Sequence, residues 1–171
     1  MIELKSDQLY VQFQTLGGAL SSIKDKEGVE YLWQGDPTYW SGQAPVLFPI
    51  CGSVRNDTVL YDKEDGSQKE GKIPRHGLVR KKDFTLVEQT DNSVTFAIED
   101  DEEMYANYPY HFRLEITYTV TGKTIRTQYK IYNKEAEKIM PYFIGGHPGF
   151  NCPLLDDEVY EDYYLEFEKP E

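Results

Sequence analysis

The sequence predicts an all-β protein built as an antiparallel β-sandwich, and three observations carry that prediction. Phe112, Leu114, Ile116, Tyr118 and Val120 alternate with Arg113, Glu115, Thr117 and Thr119. After Thr121-Gly122-Lys123 the period of two resumes with Ile125, Thr127, Tyr129 and Ile131. Alternation on both sides of a short glycine-containing connection marks a hairpin with one buried face. Aromatic residues make up 14% of the chain, supplying bulk for the space between two sheets. Finally, only one short stretch, 101–106, suits a helix, ahead of Tyr108-Pro109.

In chain order, short apolar-alternating runs at 2–4, 9–14 and 19–24 are expected to be strands. From Trp33 to Arg80 the pattern fades into Gly, Pro and aromatics, with one strand candidate at 59–61. Long irregular stretches inside a compact domain are usually functional or disordered, and the aromatic content here argues against disorder. A second hairpin is expected to join 84–88 to 94–98 through Asp91-Asn92-Ser93. The long hairpin follows, then further strand candidates at 139–144 and 163–167. No repeat, low-complexity tract or linker interrupts residues 1–171, so a single domain is expected.

With 18 Lys+Arg against 30 Asp+Glu, the formal net charge is −12. Residues 154–171 hold −7 of it, leaving −5 for the rest. An acidic surface repels nucleic acid and anionic membrane, so neither is an expected partner. The longest apolar block, Ala44 to Ile50, is short and holds two prolines, so no membrane-spanning helix is expected. The first residues carry Glu3, Lys5 and Asp7 instead of an apolar signal stretch. Two cysteines, Cys51 and Cys152, make no disulfide framework; they are expected to be buried or half-buried thiols in a reducing cytoplasm. No C-x-x-C or H-x-H spacing suggests a metal.

Two histidines lie in Gly/Pro-rich surroundings: His76 in Pro74-Arg75-His76-Gly77, and His147 in Gly145-Gly146-His147-Pro148-Gly149-Phe150. Glycines beside a polar side chain admit a ligand or another backbone at close range. Histidine suits proton transfer near neutral pH, although an isolated one is more often hydrogen-bonded within a turn. His111 opens a strand among aromatics and reads as structural. Arg55 is a candidate donor to hydroxyls or a carboxylate, against the plainer reading of a surface ion pair with Asp57. Trp33, Tyr39, Trp40 and Phe48 are candidates for a platform under a sugar face, against the commoner use of aromatics in a core.

The order of these segments is more specific than any one of them. Leu16-Gly17-Gly18-Ala19-Leu20-Ser21-Ser22-Ile23 precedes Leu32-Trp33-Gln34-Gly35-Asp36 and Tyr39-Trp40. Pro45-Val46-Leu47-Phe48-Pro49-Ile50-Cys51-Gly52, Pro74-Arg75-His76-Gly77-Leu78-Val79-Arg80, Tyr108-Pro109-Tyr110 and Gly145-Gly146-His147-Pro148-Gly149-Phe150 follow. This series resembles the aldose 1-epimerase (galactose mutarotase-like) family from Leu16 to Phe150, and within it the branch found in lactose operons. The resemblance implies a supersandwich fold and acid–base interconversion of sugar anomers, with no cofactor or metal. A base takes the anomeric hydroxyl proton, an acid protonates the ring oxygen, and the opened aldehyde rotates before reclosure.

By motif match, the resemblance puts His147 at the family's general acid, and His76 and Arg55 where sugar hydroxyls are held. The surroundings of His76 differ from the galactose enzymes, so the implied partner is a free hexose or a hexose phosphate, with Arg75 or Arg80 positioned for a phosphate. It also implies about a hundred further residues or more beyond the Gly-His-Pro motif, holding the family's Glu base and a sugar-binding Asp. On that expectation this chain is an incomplete sandwich with reduced activity of its own, and it self-associates through exposed sheet edges. The competing class is a non-catalytic carbohydrate-binding or regulatory remnant; an acidic domain that binds only protein leaves the Gly-Gly-His-Pro order unexplained.

Overall fold

A computed structural model describes residues 2–63 and 65–169. Strands β1 (Ile2–Lys5), β2 (Leu9–Gln14) and β3 (Ala19–Asp25) form a three-stranded antiparallel sheet in that order. A second antiparallel sheet is built from β7 (Thr85–Gln89), β8 (Ser93–Glu99), β9 (Phe112–Thr121) and β10 (Thr124–Asn133), in the order β10-β9-β8-β7. Two short pairs complete the strands: β5 (Thr58–Asp62) with β6 (Gln68–Lys72), and β4 (Val46–Leu47) with β11 (Gly145–Gly146).

The long hairpin follows the alternation directly. Phe112, Leu114, Ile116, Tyr118 and Val120 are all buried while their neighbours in sequence face outward, as a period-two side-chain repeat requires. The two sheets meet through aromatic side chains: the Phe13 ring of β2 lies 5.0 Å from Tyr118 and 6.1 Å from Phe96. The Tyr118 hydroxyl donates to the Gly18 carbonyl at 2.9 Å, so its polar end is satisfied inside the core. Helix α1 (Glu102–Asn107) starts where Asp101 accepts from the Met104 N–H at 2.7 Å, and buries Met104.

Two expected strands are absent. Residues 139–144 form no ladder; Pro141 lacks a donor, and the Phe143 N–H goes instead to the Pro49 carbonyl at 2.8 Å. Residues 163–167 alternate as a strand does, yet they meet no neighbouring strand and remain irregular. Conversely, β6 escapes sequence reading because Gln-Lys-Glu-Gly-Lys is polar, and pairing with β5 alone creates it. Both cysteines are exposed, which corrects the expectation of buried thiols: each sits in a surface loop where a small side chain finds no core to enter. No described helix is long and apolar enough to cross a membrane.

Candidate active site

The short strand β4 and its flanks act as a rail to which two distant loops attach. On one side the Leu78 N–H donates to the Phe48 carbonyl at 2.8 Å, and Gly77 bridges Phe48. Gly77 has φ +85°, and a Cβ there would stand 2.0 Å from the Phe48 carbonyl oxygen, so only glycine lets this loop close on the rail. On the other side Gly145 pairs with Leu47 and Gly146 with Val46; the His147 N–H then reaches the Pro45 carbonyl at 3.0 Å. Gly149 continues the contact, donating to the Gln43 carbonyl at 2.8 Å.

His76 and His147, far apart in sequence, thereby face one another with ring centroids 5.5 Å apart. His76 is fixed first. Its backbone sits at φ +70°, its N–H donates to the Gly52 carbonyl at 2.7 Å, and its Nδ1 accepts from the Gly52 N–H at 3.2 Å. That acceptor role assigns the proton to Nε2 and leaves Nε2–H as a donor for a ligand. Arg75 Nε, 3.3 Å from Nε2, would need the opposite tautomer, so the two contacts exclude one another. Burial holds the His76 pKa below its ordinary value, and the charges of Arg75, His147 and Arg80 push the same way.

His147 is exposed, with its ring edge-on to Trp40 at 5.2 Å. The Trp33 indole N–H in turn donates to the Trp40 carbonyl at 2.7 Å, and Tyr39 lies beside Trp33 at 6.3 Å. Of the four aromatics singled out in the sequence, Trp40 thus meets His147, with Trp33 joined to Trp40 and Tyr39 to Trp33. Phe48 does not: it is fully buried and belongs to the core. The glycines before His147 admit two side chains that sequence reading passed over. A Cβ at Gly145 would lie 3.0 Å from Cys51 Sγ, and one at Gly146 the same distance from the Tyr129 hydroxyl. Burial pushes the Tyr129 phenol up, so it stays protonated and can serve as a donor. Tyr129 carried no signal beyond its place in the alternation of β10.

Arg55 occupies a 3₁₀ turn, Arg55–Asp57, exposed, its carbonyl accepting from the Thr58 N–H while its guanidinium makes no hydrogen bond or ion pair to any described residue, Asp57 included. Arg75, not Arg55, is the arginine in contact with His76. His111 stands apart from both histidines: it stacks on Tyr105 at 4.3 Å and its Nδ1 lies 2.7 Å from Asp100, in keeping with a structural part. Neither His76 nor His147 hydrogen-bonds or ion-pairs with a carboxylate among the described residues; His111 does, through its ring to Asp100 and its backbone N–H to Glu135. Among the described residues no group of three His, Cys, Asp or Glu stands close enough to hold a metal ion.

His76 and His147 thus form a histidine pair framed by glycines and aromatics on the rim of an antiparallel sandwich. A family model described as aldose 1-epimerase matches residues 1–170, and the chain belongs to that family. It is 60% identical to the chromosomal protein LacX of Lactococcus lactis subsp. lactis over 170 residues, 99% of this chain and 57% of that protein. The plasmid LacX of the same organism is 59% identical over the same share of each. The fold is similar to that of a galactose mutarotase related enzyme from Lactobacillus acidophilus, at a TM-score of 0.86 and 31% identity. That match covers 94% of this chain and 52% of the other. A galactose mutarotase-like protein from Lactobacillus casei gives a TM-score of 0.81 at 30% identity, over 92% and 52% of the two chains. The chain therefore spans little more than half the length of the relatives it matches.

Proposed function

We propose that this chain carries the substrate-holding and acid side of an aldose 1-epimerase site acting on a free hexose or a hexose phosphate. The observation that carries the reading is the opposition of His76 and His147 across 5.5 Å on the two sides of β4. In this scheme His147 gives a proton to O5 as C1–O5 breaks while the anomeric hydroxyl loses its proton to water; after the aldehyde rotates, the C5 hydroxyl adds to its other face and returns its proton to His147 as the carbonyl oxygen takes one from water. His76 Nε2–H and Arg55 donate to sugar hydroxyls, and Trp40 supports the apolar face of the ring. Arg75 and Arg80, whose charges reach His76, favour an anionic sugar near it.

A second reading, a sugar-binding protein without turnover, is favoured by one observation: no carboxylate meets either histidine among the described residues to take the anomeric proton. Anomer exchange followed by NMR separates the two, with galactose, glucose and glucose 6-phosphate as substrates and His147→Asn as control. The first reading expects exchange above the spontaneous rate that falls about a hundredfold or more in the variant. Sugar-dependent chemical shifts without acceleration would leave the binding reading, and no shifts at all would overturn both.

A further inference from the structure

Strand β10 closes one end of the four-stranded sheet, and its outer edge is open. Its ladder runs to β9 alone, and no other backbone hydrogen bond between described residues reaches Thr124–Asn133. The strand holds no proline and no acidic residue. Its core-facing residues Ile125, Thr127, Tyr129 and Ile131 are only half-buried, while Leu114, Ile116 and Tyr118 beside them on β9 are buried. A groove of about 750 Å³ runs along this uncovered side, with Leu20, Ile23, Ile125 and Phe150 among its walls. The other face of β10 presents Arg126, which has no ion pair among the described residues, and Lys130, which stands opposite a Glu115 already held by Arg113.

The chain also carries a segment with the matching pattern and no place of its own. Residues 163–168 read Tyr-Tyr-Leu-Glu-Phe-Glu, which puts Leu165 and Phe167 on one side of an extended chain and Glu166 and Glu168 on the other. Tyr163 is anchored, its hydroxyl accepting from the Leu154 N–H at 2.8 Å. Beyond it the side chains are bare: Tyr164 is 83% exposed, Leu165 74% and Phe167 61%. An open edge and an unpaired strand of complementary charge form a ready site for strand addition.

We propose that residues 164–168 of a second copy add to the outer edge of β10. In an antiparallel pairing Leu165 and Phe167 then stand opposite Ile131 and Tyr129, while Glu166 stands opposite Lys130 and Glu168 opposite Gln128, one diagonal step from Arg126. Exchange is reciprocal, each copy lending its segment to the other, so the assembly closes as a two-fold dimer. The partner is thus this chain itself, through a surface that adjoins the histidine pair at Tyr129, Pro148 and Phe150.

Sedimentation equilibrium across the micromolar range tests this without any activity readout, so its failure leaves the proposed function untouched. The wild-type chain is expected to form a dimer that weakens as salt rises. E166K/E168K and R126E/K130E should each weaken it about tenfold or more, since like charges then stand across the new pair. Mixing the two reversed chains in equal amounts should restore the dimer, because each segment then meets the opposite charge on its partner. A monomer at every concentration overturns the proposal, as does a dimer indifferent to both reversals. A monomer whose β10 amides resist hydrogen exchange would show the segment folding back on its own edge, and would overturn it as well.

Discussion

His76 is held by contacts that its protonation would break. Its Nδ1 accepts from the Gly52 N–H, so an imidazolium would set two donors against each other at 3.2 Å. Burial and the nearby charges of Arg75, His147 and Arg80 already keep its pKa below the ordinary 6.5. For a histidine depressed in the folded state, the stabilising contacts are complete above 6.5 and are lost as pH falls through the folded value. We therefore expect the imidazole resonances of His76 to titrate below 6.5, and Arg75→Gln to move that midpoint upward by removing one of the repelling charges. A midpoint at or above the ordinary value in the wild-type chain would contradict the assigned tautomer. The sequence showed His76 and Gly77 as neighbours; it did not show that both occupy left-handed backbone or that Gly52 is the partner.

At the scale of elements, the two-residue strand β4 matters more to the site than the ten-residue strands β9 and β10. The long hairpin could be read from its alternation because a period of two is a local property, fixed by which side chains face the core. The rail could not, because Val46 and Leu47 become a strand only through Gly145 and Gly146, whose missing side chains carry no hydrophobic pattern. Its junction with the His76 loop is the most constrained point. Gly77→Ala would drive a Cβ to within 2.0 Å of the Phe48 carbonyl oxygen and force a positive φ on alanine. We expect a loss of roughly 2–4 kcal/mol in denaturant unfolding, the range of backbone strain plus overpacking. A variant within 0.5 kcal/mol of wild type, about the size of an ordinary surface change, would show that the loop is not clamped.

For the whole molecule, burial and chain order diverge near the C-terminal end. Every buried hydrophobic among the described residues lies between Leu4 and Met140. The last backbone tie to the body is the Asn151 N–H donating to the Tyr31 carbonyl at 2.9 Å. Past it lie exposed Leu155, Val159, Tyr160, Tyr164, Leu165 and Phe167. At dilutions where copies do not pair, a Glu-specific protease should cut first at Glu158, Glu161, Glu166 and Glu168 and leave the body whole. Early cleavage at Glu88 or Glu99 instead, read by mass spectrometry, would mean that the sheet is looser than its burial implies. The sequence by itself determined the all-β class, the two hairpins, the short turn of helix and the ordered motifs that identify the family, because alternation and turn chemistry act between near neighbours. Only the tertiary structure decided that His76 and His147 face one another, that Arg75 is the arginine beside His76, that Phe48 is core, and that residues 139–144 and 163–167 are not strands. Each of those depends on which distant backbone supplies a partner, and a hydrogen-bonding edge leaves no mark on the sequence that meets it.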